Sequence, residues 1–449
     1  MDTDTLFDQA APGAIRSRRI ITPEGVFDGA VLVADGLITD VVPATDVPEG
    51  ALDVGGHMLF PGFVDTHVHI NEPGRTDWEG FDTATRAAAS AGITTLVDMP
   101  LNSLPVTTTP DALRAKTDSA SGQLHVDVGF YGGVVPENAA RLNELLDAGV
   151  LGLKAFMIDS GIPEFPASGA YELRCAMRAL AGHGKPLLVH AEVAGLGRKP
   201  GPTATAWASS RPQHWEQDAI DLLIDLCQTY QTPTHIVHLA AAKALPALRA
   251  ARAQGLPITV ETCPHYLYFA LEGIDVQDPL FKCAPPIRSV SNRRKLWQAL
   301  NNGDIDLVAS DHSPASPDLK TGSLLAAWGG VASLDLGPSV IWTLLRRERP
   351  ERLAEWMSQR PADLVGLLDR GAIEVGRRAD LAVFDPDAVR HITPDMLHTR
   401  HKISPYVGQV LTGAVTHTFL SGRCVFQRGT GRGMDHFRYQ PIGQTVLRP

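Results

Sequence analysis

Apolar and polar positions follow two rhythms along the 449-residue chain. From about Ile15 to Met58, in "IRSRRIITPEGVFDGAVLVADGLITDVVP", hydrophobic residues alternate with polar ones or cluster in short runs. That is the texture of short strands, and the pairs Asp28-Gly29 and Asp35-Gly36 predict hairpin turns between them. The C-terminal segments "IEVGRRADLAVFDPD" and "VGQVLTGAVTHTFLSGRCVFQRG" read the same way. Neither end has enough strands for a stable sheet of its own. The pattern therefore predicts one small β-sandwich built from residues 1–58 and 372–449.

The middle of the chain has a different beat. Apolar segments of strand length recur in "MLFPGFVDTHVH", "TTLVDMP", "HVDVGFYGG", "GLKAFM", "PLLVHAE", "THIVHLA", "ITVETCPHYL" and "DLVASDHSP". The stretches between them, such as "GFDTATRAAASAG", "PENAARLNELLDAG" and "HWEQDAIDLLIDLCQTYQ", carry helical spacing and end in Gly or polar residues. Strands alternating with helices predict a parallel sheet, and eight of them predict a (β/α)8 barrel over residues 59–371. No low-complexity tract or solenoid period interrupts it. The fold class is thus α/β, a TIM-like barrel with an appended sandwich.

Composition narrows the functional classes. A hydrophobic fraction of 44% suits a soluble globular protein with a large core. Forty basic against fifty acidic residues give a formal net charge of −10, which offers no electrostatic case for nucleic acid or an anionic membrane. The five cysteines are scattered and form no CxxC, so neither a disulfide framework nor a cysteine zinc site is expected. The N-terminal "MDTDTLFDQAAPGA" is acidic and lacks the apolar core of a signal peptide. No run of about 18 apolar residues is present to span a bilayer. A cytoplasmic location is the expectation.

In such barrels chemistry sits at the C-terminal ends of the strands, so polar residues there carry information. The first strand ends in His67 and His69, which share a face because strand side chains alternate with period two. The fourth carries Lys154. The fifth ends at His190, the sixth at His238 and the eighth at Asp311. A lysine packed among neutral imidazoles would be an unpaired buried charge. If it loses its proton and adds carbon dioxide, it becomes an anionic carbamate that two divalent cations could hold. The pattern points to a binuclear site. His67, His69 and Asp311 would take one ion, His190 and His238 the other, with the Lys154 carbamate and a hydroxide between them.

The segments "PGFVDTHVHINEPGRTDWEGF", "AGITTLVDMPLNS", "GLKAFMIDSGIPEFP", "VHAE", "TCPHYLYF", "KCAPPIR" and "ASDHSP" with "AWGG" carry a resemblance. The chain is similar over nearly its whole length to the cyclic amidohydrolases, the superfamily of dihydroorotase, hydantoinase and allantoinase, and looks most like the allantoinase family. The resemblance implies that the six strand-end residues are metal ligands, with Lys154 carboxylated. It also implies zinc as the usual metal, with cobalt or manganese able to serve, and a homotetramer. Dihydroorotases resemble this chain at the paired histidines but carry Arg two residues on, suited to a substrate carboxylate. Here that position is Asn71, which exchanges only neutral hydrogen bonds. A neutral ring with amide and ureido groups, as in allantoin, fits it better.

The expected reaction is attack of the bridging hydroxide on a ring carbonyl, with Asp311 as general base and then acid, giving allantoate. Asn102, Ser313, Cys283 and Gly329, with Gly330, are further candidate substrate contacts. His265 is a candidate support behind the ligands, while Trp78 and Trp328 read as packing. The tracts "EPGRTDWEGF" and "DSGIPEFP" would form walls or a lid. Competing readings are a hydantoinase acting on other cyclic imides and a non-catalytic scaffold of the same fold. The six filled ligand positions argue against the scaffold.

Overall fold

Strands β1 (Ala14–Thr22), β2 (Gly25–Ala34) and β3 (Leu37–Pro43) form an antiparallel meander. Asp35-Gly36 makes the second turn, both residues at positive φ (51° and 79°) as a two-residue hairpin requires. Asp28-Gly29 makes no turn: it lies inside β2, and the first reversal falls at Pro23-Glu24. Gly29 answers a different need, because a Cβ there would stand 2.0 Å from the Val42 carbonyl oxygen. The glycine marks close approach of two backbones. Strand β4 (Leu52–Asp53) pairs with β1, and β5 (Met58–Pro61) runs parallel to β1 on the same edge.

The computed structural model describes residues 13–429 and 434–448. The first twelve residues, on which the signal-peptide reading partly rests, lie outside the described residues.

Gly62 separates β5 from β6 (Phe63–Val68), so the first apolar segment of the barrel pattern serves two sheets. The barrel continues through β7 (Ile93–Asp98), β8 (Asp127–Phe130), β9 (Gly132–Gly133), β10 (Leu153–Phe156) and β11 (Leu187–His190). It ends with β12 (Thr234–Ile236), β13 (Ile258–Thr262) and β14 (Leu307–Val308). Strands β8 and β9 are two pieces of the third barrel position, broken at Tyr131. All neighbours pair in parallel. The ring closes where Val68 bridges His312 and the His69 N–H donates to the His312 carbonyl at 2.8 Å. Strand residues are buried almost throughout, as expected for strands covered by helices.

After the barrel come β15 (Leu381–His391), β16 (Val410–Leu420), β17 (Arg423–Gln427) and β18 (His436–Phe437), all antiparallel. Strand β15 pairs with β5, which welds the two chain ends into one sheet ordered β18-β17-β16-β15-β5-β1-β2-β3. Ile15, Ile20, Val31 and Leu59 from one limb share an apolar cluster with Leu381, Phe419 and Cys424 from the other. Where a sandwich was expected, the strands of both chain ends belong to one nine-stranded sheet. A last strand, β19 (Thr445–Val446), returns to the barrel beside β8. Among the described residues, no helix is long and apolar enough to cross a membrane.

The helix Gly337–Leu344 joins barrel to sheet. Its Trp342 packs edge-on against Phe384 of β15, and both press on Gly413 of β16. A Cβ at Gly413 would lie 2.2 Å from Phe384 Cζ and 2.5 Å from Trp342 Cδ1, at a φ of +82°. Gly413→Ala is expected to destabilise the protein by about 1–3 kcal/mol through overpacking alone. A denaturation midpoint reads this, and an unshifted midpoint would mean that the joint is slack.

Candidate metal centre and substrate cavity

Six polar side chains meet at the C-terminal mouth of the barrel because strands of apolar residues deliver them there. His67 Nε2 and His69 Nε2 stand 3.2 and 3.5 Å from the same oxygen, Asp311 Oδ1. Ligand atoms of these three buried residues all lie within 4.8 Å of one another. The His238 ring is 5.4 Å from that of His67 and 4.5 Å from that of His190, centroid to centroid. The His190 ring also stacks on Phe156 at 4.5 Å and 15°.

Lys154 is fully buried, and its Nζ has no hydrogen-bond partner. Its nearest described interaction is with the Phe156 ring, 5.0 Å away. Burial therefore pushes the ammonium down to about 7. Burial likewise lowers His69, His190 and His238, keeping these imidazoles neutral. Burial opposes ionisation of Asp311, but His67 and the hydrogen bond from His69 outweigh it and hold the carboxyl well below its usual range.

The backbone is bent to make this arrangement. Asn71, Asn102, His238 and Asp311 all have left-handed φ, between +41° and +71°. Such conformations persist at functional sites where surrounding contacts fix them. At His238 the N–H donates to Glu261 Oε1 at 3.1 Å. Glu261, in β13, also accepts from His67 Nδ1 at 2.5 Å and from His235 Nε2 at 3.0 Å. Burial disfavours its charge, but the histidines bring its carboxyl down to about 2. The hydrogen bond with this carboxylate holds the His67 ring with Nε2 facing the centre.

A cavity of about 460 Å³ opens over the histidines. Asn102, Cys283, Ser313 and Gly329 line it, as does the Ile158–Gly161 part of the "DSGIPEFP" tract. Ser313 Oγ also donates to Asp311 Oδ1 at 3.1 Å. Asn71 is brought elsewhere. It is outside the lining, 1% exposed, and its Nδ2 donates to the Pro314 carbonyl at 3.3 Å. The strand ends at Val68, and the φ of +69° at Asn71 turns its side chain under the loop. Trp328 lines the cavity and Trp78 braces it edge-on at 5.0 Å. His265 is buried beside Cys263 and Asp311, with neither ring nitrogen hydrogen-bonded.

Several residues of this site carry no assignment from sequence. Glu261 gave a signal, being a carboxylate inside an otherwise apolar strand. Glu192 gave another, two residues beyond His190. Trp207, Arg211, Trp215 and Lys282 also line the cavity; Trp207 and Trp215 stand on the helices Ala204–Ser210 and Gln213–Tyr230, and Arg211 and Lys282 lie in connections.

A model of the "Amidohydrolase family" matches residues 58–425. An allantoinase of Streptomyces avermitilis is 48% identical over 424 residues, covering 92% of this chain and 95% of that protein. An allantoinase of Arabidopsis thaliana is 43% identical, covering 92% and 88%. Among solved structures, an L-hydantoinase (dihydropyrimidinase) from Arthrobacter aurescens superposes with a TM-score of 0.88 at 29% identity, covering 97% of this chain and 99% of that one. The amidohydrolase family is metal-dependent.

Proposed function

The chain belongs to the amidohydrolase family, and we propose that it opens the ring of allantoin by hydrolysing a cyclic amide bond, releasing allantoate. The observation that carries this reading is Lys154 Nζ, buried and without a partner among three neutral imidazoles. An ammonium there is a buried charge that Glu261 and Asp311 offset only in part. Carboxylation by carbon dioxide would convert it into an anionic oxygen ligand. The donor set fits two divalent cations: His67, His69 and Asp311 would hold one, His190 and His238 the other, with carboxylated Lys154 shared between them. Imidazole and carboxylate donors suit zinc, and cobalt or manganese are compatible with them. When bound, the ions supply Lewis acidity, polarising the ring carbonyl and making an attacking water more acidic.

The chain's own residues handle the proton and the substrate. Asp311 accepts the proton of the attacking water and delivers it to the ring nitrogen as the C–N bond breaks, since an amide nitrogen leaves poorly unless protonated. One water is consumed, and no oxidant or reductant is needed. Ser313, donating to Asp311 Oδ1, keeps that carboxylate aimed. Asn102 and the backbone around Cys283 and Gly329 offer neutral donors and acceptors that match amide and ureido groups. Arg211, the guanidinium at the cavity, forks onto Glu192 through Nε and Nη2.

Turnover of allantoin, hydantoin and dihydroorotate at matched concentrations tests the substrate. Allantoin is expected to lead by about tenfold or more, equivalent to about 1.4 kcal/mol in the barrier. Faster opening of hydantoin would transfer the activity to the hydantoinases.

A further inference from the structure

The buried carboxylate of Glu192 takes no part in the chemistry above, yet it is wired into the site from both sides. Its Oε2 lies 2.8 Å from His190 Nε2. The same carboxylate receives a fork from Arg211, Nε to Oε1 at 3.1 Å and Nη2 to Oε2 at 2.5 Å. The Arg211 guanidinium lies 5.3 Å from the Trp207 ring and 5.8 Å from the Trp215 ring, and it lines the cavity. A continuous path therefore runs from the cavity wall through Arg211 and Glu192 to the imidazole of His190.

The direction of the hydrogen bonds decides what this path does. A carboxylate paired with a guanidinium only accepts. His190 must then carry its proton on Nε2, which leaves the lone pair on Nδ1. The opposite tautomer would set two acceptors face to face at 2.8 Å in a dry site. Phe156, stacked on the ring, restrains its rotation. A second pair backs the first. Arg288 donates to the Arg211 carbonyl at 3.1 Å and to Glu216 Oε1 at 2.6 Å. Glu216 Oε2 in turn accepts the N–H groups of Ala240 and Ala241, at 2.9 Å each, just beyond His238.

We propose that Glu192 and Arg211 are positioning residues for the ion held by His190 and His238, Glu192 fixing the His190 tautomer and Arg211 fixing Glu192 from the cavity side. This rests on the two-ion reading given under Proposed function. Such carboxylate partners of metal-bound histidines commonly account for about 10–100-fold in metal affinity.

The test uses the purified full-length holoprotein as wild type, Glu192→Gln, Arg211→Met and Arg211→Lys. Metal content is followed against rising concentrations of a zinc chelator, alongside kcat and KM for allantoin. Glu192→Gln and Arg211→Met are expected to release one of the two ions at about 10–100-fold lower chelator concentration and to keep the other as the wild type does. Their kcat should fall in step with the lost ion while KM stays nearly constant, and Arg211→Lys should recover part of the retention. If Arg211→Met does not fold, Glu192→Gln and Arg211→Lys carry the comparison. Variants that hold both ions as tightly as a two-ion wild type would overturn this proposal alone. So would a raised KM with unchanged metal retention, which would make Arg211 a substrate contact instead. A wild type holding fewer than two ions would defeat the two-ion reading, and this proposal with it.

Discussion

Lys154→Ala is expected to lower kcat on allantoin by about three orders of magnitude or more, a barrier increase of about 4 kcal/mol. The same variant should retain at most one tightly held ion. The size of the effect follows from the position of the side chain. Lys154 has no hydrogen-bond partner to lose, but it is one of the larger fully buried side chains, so Ala also leaves a cavity behind. What it removes is the side chain that, once carboxylated, would place an anionic oxygen between the two histidine pairs. Short-chain carboxylic acids such as acetate or propionate should enter the vacated space and restore part of the activity. A Lys154→Ala protein with wild-type metal content would eliminate the bridge.

The second large effect is at Asp311. Asp311→Asn keeps the shape of the side chain and a neutral oxygen toward His67 and His69, but it cannot take up a proton at ordinary pH. Loss of general acid–base assistance amounts to about 10²–10⁴-fold in kcat. KM should change much less, because Asn102 and the segments at Cys283 and Gly329 still form the cavity. Near-normal turnover by a normally metallated Asp311→Asn would end the proton-transfer role.

Much of this was legible in the chain because a barrel strand is apolar inside. His67, Lys154, His190, His238 and Asp311 were read as polar residues at strand ends; the structure puts Lys154 within β10 and His238 and Asp311 just past β12 and β14. Such reasoning stops where the strand stops. Asn71 was read by resemblance to the Arg of dihydroorotases, and a left-handed turn there directs its Nδ2 to the Pro314 carbonyl. The case for a neutral substrate rests on Asn102 and the backbone at Cys283 and Gly329, which offer the cavity neutral donors and acceptors. Asp28-Gly29 failed for a related reason, since a glycine that permits close backbone contact has the same local signature as one that permits a turn. The Trp207–Arg211–Trp215 wall was invisible because Arg211 meets its partner Glu192 across 19 residues of connection, and no periodicity records such a pairing.

The central claim is a two-ion centre in which carboxylated Lys154 is shared. The metal-to-protein ratio of the purified, fully active wild type, measured by plasma mass spectrometry, tests it most directly. The account predicts two divalent ions per chain. A ratio of one or less in protein that turns over allantoin at its full rate would contradict it.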